Sequence, residues 1–244
     1  MLTNTSLFSN LSTSQVDKYT TIFYTLYMTG DVAHVCNRGI EKRKIFLDRK
    51  DYERFTENLF LLNNESGKIR TVKSIFTLGG DVPKQEKLVE VLKWSLLPNH
   101  YHLLLYENID GGILEFTKRL GNAYTKYFNI KNNGRSGYVF QNRAKIIPIT
   151  NEKQSLYIPF YIDINPLDLV LPDRKNISIR DSKKALDFLR TYEWSSFKDY
   201  FGKGTRGSII NKNLFYECFG LTSKTYEKEL LELSTCEVDE LLLS

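Results

Sequence analysis

Histidine and cysteine are both scarce in this chain of 244 residues, at three each. Cys36, Cys218 and Cys236 are far apart, odd in number and form no Cys-x-x-Cys pair. They argue against a disulfide framework and a cysteine-based zinc site, and for a reducing compartment. No apolar run approaches the roughly 20 residues that a bilayer-spanning helix needs, and the apolar stretch 22–28 is short. The first residues lack the basic segment of a secretory signal, so the expectation is a cytoplasmic protein that does not enter the membrane. Repeats and low-complexity tracts are also missing.

What is present supports a packed globular chain. The hydrophobic fraction is 41%, enough for one generous domain or for a core with an appendage. A net charge of +5 permits a polyanionic partner without requiring one. Met28, directly before Thr29-Gly30-Asp31, is the only methionine after Met1. The division expected is an N-terminal extension at 1–28, a core at 29–170 and a helical C-terminal appendage at 171–244.

Residues 32–36 read as a short strand that closes in the turn signal Asn37-Arg38-Gly39. From Asp48, Tyr52, Phe55, Leu59 and Leu62 recur at helical spacing until Asn63-Asn64 and Gly67 end the run. Residues 63–86 read as a long connection, with a stray strand at 71–76. Segments 88–96 and 99–106, separated by Leu97-Pro98, read as a β-hairpin. Residues 110–129 read as an amphipathic helix with Ile113, Phe116, Leu120, Ala123 or Tyr124, and Tyr127 on one stripe, and 138–149 return as a strand. The segment 152–165 has a helical rhythm interrupted by Pro159 and closed by Pro166. The class that follows is α+β, an antiparallel β-sheet flanked by helices, with short helices beyond residue 171.

Chemistry concentrates in His100-Tyr101-His102. Side chains alternate faces along a strand, so the two imidazoles share a side while Tyr101 points the other way. Two imidazoles on a rigid platform are half of a divalent-metal site, although such a pair also occurs as packed, hydrogen-bonded histidines. A further ligand from another element is needed, of the Asp, Glu, Asn or Gln type. The third histidine, His34, reads as a buried and hydrogen-bonded residue.

Six segments, in the family's order along the chain, resemble one family. Leu96-Leu97-Pro98-Asn99-His100-Tyr101-His102 resembles the His-hydrophobic-His motif of single-tyrosine HUH transposases, REP-associated branch. His34-Val35-Cys36-Asn37-Arg38-Gly39 resembles the family's first strand, and the run from Gly112 to Asn129 its central helix. Gly137 to Lys145 resembles the following basic strand, and Tyr161-Ile162-Asp163-Ile164-Asn165-Pro166 the helix that bears the nucleophile. Tyr192-Glu193-Trp194-Ser195-Ser196 fits a tail motif of the group, so the likeness runs from about Gly30 to Gly220.

The resemblance implies a ferredoxin-like HUH nuclease core acting as a metal-dependent endonuclease and strand transferase on single-stranded or hairpin DNA. It implies Tyr161 as nucleophile, and His100, His102 and Asn165 as ligands of Mg²⁺ or Mn²⁺. Positions 161 and 165 lie one helical turn apart, so both can face the histidine pair. Asn37, Arg38, Lys118, Arg119, Lys126, Arg135, Arg143 and Lys145 are the expected DNA contacts, and Tyr124 or Tyr138 can stack on splayed bases. The protein would work in the cytoplasm at the nucleoid, as a monomer or a homodimer. The family usually has Arg before the nucleophile and His two residues after it, where this chain has Phe160 and Asp163. Asp163 reads as either a metal contact or a solvated charge. Two other readings stay open: a domesticated, non-cleaving DNA-binding regulator, and a phosphohydrolase of small molecules.

Overall fold

The structure is a computed structural model in which residues 32–67, 86–171, 179–201, 204–222 and 226 are described. Strand β1 (Val32–Arg38) leads through a tight turn to helix α1 (Arg49–Leu61). The α1 start is fixed by a capping box, in which the Asp48 and Asp51 side chains each accept from the other's backbone N–H. Strands β2 (Val89–Leu97) and β3 (His100–Glu107) form a hairpin across Pro98 and Asn99. Helix α2 (Gly112–Lys131) and strand β4 (Lys145–Pro148) complete a β-α-β-β-α-β unit. Its sheet has the order β2-β3-β1-β4 with every pair antiparallel, a ferredoxin-like arrangement.

The two faces of the sheet carry different chemistry, and the pairing register explains why. Tyr101, Leu103 and Leu105 of β3 point toward α1 and α2, where Tyr101 meets Phe55 and Phe140 in an aromatic core with Tyr124. On the opposite face Cys36 lies beside His102, Arg38 beside His100, Ser95 beside His102, and Lys145 beside Cys36. A bulge between Val91 and Lys93 keeps Lys93 on this second face. Helix α3 (Glu152–Ile164) packs over β2 and β3 there.

Three expectations change. Strand β1 runs two residues further than 32–36, because Asn37 and Arg38 pair with Tyr101 and His100. Gly39 then turns the chain where a Cβ would overlap the Arg43 carbonyl oxygen. The strand expected at 138–149 is confined to Lys145–Pro148. In residues 138–144 only Phe140 bridges to Gly39, and the Asn142 carbonyl accepts from the Asn37 amide at 3.0 Å instead of joining a ladder. Finally, α3 continues through Pro159. Proline removes one helical hydrogen bond, but Ile158, Phe160 and Ile162 on either side of it are all buried and hold the segment helical. The expected extension at 1–28 and the stray strand at 71–76 lie outside the described residues.

Described residues after 178 reach the sheet: the Tyr200 hydroxyl lies on the Leu92 carbonyl, and Asn211 N–H donates to the Val91 carbonyl. Helices α5 (Phe197–Tyr200) and α6 (Lys212–Phe219) flank β2, and α4 (Ile179–Thr191) packs on α5 and on the 165–169 turn. The Tyr192–Ser196 motif caps the free edge of that strand: Leu96 N–H donates to the Trp194 carbonyl and Ser196 N–H to the Trp94 carbonyl, each at 2.9 Å. The Tyr192 hydroxyl donates to the Leu96 carbonyl at 2.6 Å. An exposed edge strand invites pairing with other chains, and this segment occupies it. Among the described residues no helix is long and apolar enough to cross a membrane.

Candidate metal and nucleophile site

The second face of the sheet brings the three histidines together. His34 is 1% and His102 6% exposed, while His100 is half-buried at the mouth of the group. His34 Nε2 lies 2.8 Å from His102 Nδ1, with the two rings stacked. The sequence reading of His34 as buried and hydrogen-bonded matches this placement, but its partner is a site histidine. Cys36, two residues on from His34 and directly opposite His102, completes a group whose ligand atoms lie within 4.8 Å of one another. This buried His-Cys-His group can hold a metal ion. Burial, helped by Lys145, pushes the His34 pKa down to about 4, and burial raises the Cys36 thiol.

His100 faces a different partner. Its Nδ1 lies 2.7 Å from Asn99 Oδ1, and its Nε2 lies 3.1 Å from Asn165 Oδ1. Burial and the nearby Arg38 guanidinium push the His100 pKa down to about 4, against the opposing Asn165 contact. The ring is therefore neutral at pH 7 and carries a single N–H, which cannot serve two carbonyl oxygens. If that proton sits on Nδ1, held by Asn99, then Nε2 and Asn165 Oδ1 confront each other with lone pairs. A cation between them satisfies both, as does rotation of the amide. His100 Nε2 and Asn165 Oδ1 are thus a facing pair of potential ligand atoms, and the His102 ring lies 5.1 Å from that of His100, edge to face.

Tyr161 sits in the last turn of α3 and is partly buried. Its ring stands edge-on to His102 at 5.4 Å and to His34 at 6.0 Å between centroids. The Asn165 N–H donates to the Tyr161 carbonyl, so one helical hydrogen bond links these two positions. The helix thus brings Tyr161 and Asn165 to the histidines as a unit.

Asp163 is neither a metal contact nor a solvated charge. It is fully buried, as is Lys93 of β2, whose Nζ donates to Asp163 Oδ2 at 2.7 Å. The same carboxylate oxygen accepts from the Tyr226 hydroxyl. The Lys93 ammonium lies 3.9–4.4 Å from the ring centroids of Tyr200, Phe215 and Tyr226, a desolvated cation–π cage. Burial pushes the Lys93 pKa down to about 8 against the pull of Asp163, and burial raises Asp163. Phe160 stacks on Tyr226 in the same cluster. The two positions where the chain departs from the family pattern therefore anchor α3.

The basic residues divide into groups. Arg38 and Lys145 are exposed and act electrostatically on His100 and on His34, respectively. Asn37, Lys118 and Arg143 line a cavity of about 690 Å³ between α2 and the 138–144 segment, together with Tyr138, which is 81% exposed. Tyr124, by contrast, is buried, with its hydroxyl on the Ile45 carbonyl, so it offers no face to a base. Arg119 is committed within the fold: it bonds Glu115 at 2.8 Å and the Asn64 carbonyl at 2.6 Å. Lys126 is exposed and Arg135 partly exposed, and no contact ties either to the histidines.

Sequence reasoning passed over Cys36, Asn99 and Lys93. Their signals were present: Cys36 follows His34 at strand spacing, Asn99 directly precedes the motif, and Lys93 is a charge set among the apolar residues Val91, Leu92, Trp94 and Leu96.

No family model matches the chain, and no curated protein matches it. A solved structure described as a REP-associated tyrosine transposase bound to a REP hairpin is 15% identical, with a TM-score of 0.42. The match covers 71% of this chain and 80% of that one.

Proposed function

We propose that this chain is a metal-dependent endonuclease and strand transferase for single-stranded, hairpin-bearing DNA, acting through Tyr161. The observation that carries the reading is the convergence of Tyr161, His102, His100 and Asn165 at one place on the sheet. A divalent ion of the Mg²⁺ or Mn²⁺ class, held by His100, His102 and Asn165, would supply Lewis-acid polarisation of the scissile phosphate. Asn99 keeps the His100 proton on Nδ1 and leaves Nε2 free to act as a donor. The Tyr161 phenol loses its proton to solvent as its oxygen attacks phosphorus, the bond to the 3′ oxygen breaks, and that oxygen takes a proton from solvent. The products are a 5′-phosphotyrosyl link and a free 3′-OH, which from a second strand reverses the step and joins the ends. Lys118, Arg143 and Asn37 hold phosphates along the cavity, while exposed Tyr138 stacks on an unpaired base.

Labelled single-stranded oligonucleotides carrying a hairpin, incubated with the protein and Mn²⁺, test this directly. The expected product is a protein–DNA band that survives denaturation, disappears on chelation and is lost in Tyr161→Phe. Binding without such a band under any ion favours the second reading, a non-cleaving regulator on the same fold. One observation supports that alternative: Phe160 and Asp163 serve packing and a buried ion pair rather than a phosphate or a metal.

A further inference from the structure

We propose that His34, Cys36 and His102 form a second metal site that takes a thiophilic ion of the Zn²⁺ class, distinct from the oxygen-bearing set of His100 and Asn165. The three side chains come from adjacent strands held in register by the β1–β3 ladder, with Cys36 directly opposite His102. Their ligand atoms already lie within 4.8 Å of one another. The closest pair, His34 Nε2 and His102 Nδ1, stands at 2.8 Å. Tetrahedral zinc with bonds of about 2.0–2.1 Å places two nitrogens roughly 3.3 Å apart, so these rings need to separate by about half an ångström. That is within the reach of side-chain adjustment on a fixed backbone.

Donor type decides the ion. One thiolate and two imidazoles are a soft, nitrogen-rich set that favours zinc over magnesium or calcium, which demand oxygen. Three protein ligands leave the fourth tetrahedral position open. Binding releases the Cys36 thiol proton to solvent, and whichever ring donates the His34–His102 hydrogen bond shifts its proton to its other nitrogen. Access comes from the Cys36 side, which is only partly buried. Burial holds the Cys36 thiol up, while Lys145 and Arg38 act in the opposite direction on the thiol and repel an incoming cation. His34 is nine-tenths buried or more, and its Nδ1 has no hydrogen-bond partner among the described residues. The sequence reading argued against a cysteine-based zinc site, and the register that sets the single Cys36 beside two histidines revises it. Because His102 belongs to both sets, an ion here withdraws it from His100 and Asn165.

Cobalt titration of the full-length apoprotein tests the site without any cleavage assay. The expected result is one Co²⁺ per chain, with intense tetrahedral visible bands and a thiolate charge-transfer band, both abolished by one equivalent of Zn²⁺. Cys36→Ser removes the charge-transfer band, whereas His100→Ala and Asn165→Ala keep it. A weak octahedral spectrum in the wild type, a band that persists in Cys36→Ser, or a band lost in either of the other variants overturns the proposal. Failure of the two readings is separable: cobalt bands without a DNA adduct sink only the nuclease, and an adduct without cobalt bands sinks only this site.

Discussion

Breaking the Lys93–Asp163 pair is the most quantitative perturbation the structure offers, because both side chains are fully buried. Asp163→Asn leaves the Lys93 ammonium in its aromatic cage without a counterion. The cheapest escape is loss of the proton, which from a free lysine near 10.4 costs roughly 4.6 kcal/mol at pH 7. Lys93→Met strands the carboxylate instead, and protonating it from about 3.9 costs roughly 4.2 kcal/mol at pH 7. Both figures are upper limits and agree with the 3–5 kcal/mol typical of breaking a buried pair from one side. The signs with pH are opposite. The lone lysine becomes easier to neutralise as pH rises, so Asp163→Asn recovers stability toward pH 10. The lone carboxyl becomes easier to protonate as pH falls, so Lys93→Met recovers toward pH 4. The double variant Lys93→Met/Asp163→Leu removes both charges and should lie within about 1–2 kcal/mol of the wild type. Urea unfolding followed by circular dichroism, repeated from pH 5 to 9, measures all three. Single variants that cost less than about 1 kcal/mol, or a double variant with additive losses, would refute the buried-pair account.

Other outcomes follow from the same geometry. Asn99→Ala removes the acceptor that fixes the His100 proton, so Mn²⁺ affinity by calorimetry should fall about tenfold or more while the fold persists; unchanged affinity contradicts the role. Tyr52 and Tyr127 have pKa values pushed up to about 12, chiefly by burial. The folded state therefore keeps protons that the unfolded chain loses above pH 10, and stability should decline from pH 10 upward. A flat profile from pH 9.5 to 11.5 would contradict this. Lys118→Ala and Arg143→Ala should each weaken hairpin-DNA binding and reduce the salt slope by about 1. Arg119→Ala should instead lower thermal stability and leave that slope unchanged, since its bonds are internal.

Much of the core was legible because it is built from local rules. The helical spacing of Tyr52, Phe55 and Leu59 after Asp48 placed α1, and alternation placed His100 and His102 on one face. The same alternation applied to His34 and Cys36, but nothing in the sequence says which strands are neighbours, so their approach to His102 required the register. Asp163 was misjudged for a related reason. Its partner lies 70 positions away on β2, and a carboxylate at the end of a helix resembles a solvated one until the aromatic cage behind it is seen. The helix through Pro159 shows tertiary burial overriding a local breaker, and the short β4 shows Asn37 diverting a backbone carbonyl from the ladder.

The most direct measurement is the identity of the residue that becomes attached to DNA. Protein incubated with a hairpin-bearing single strand and Mn²⁺, digested and sequenced by tandem mass spectrometry, should yield a 5′-phosphonucleotide on Tyr161 alone. Attachment at Tyr157, at any of the other tyrosines, or at none of them would contradict the account.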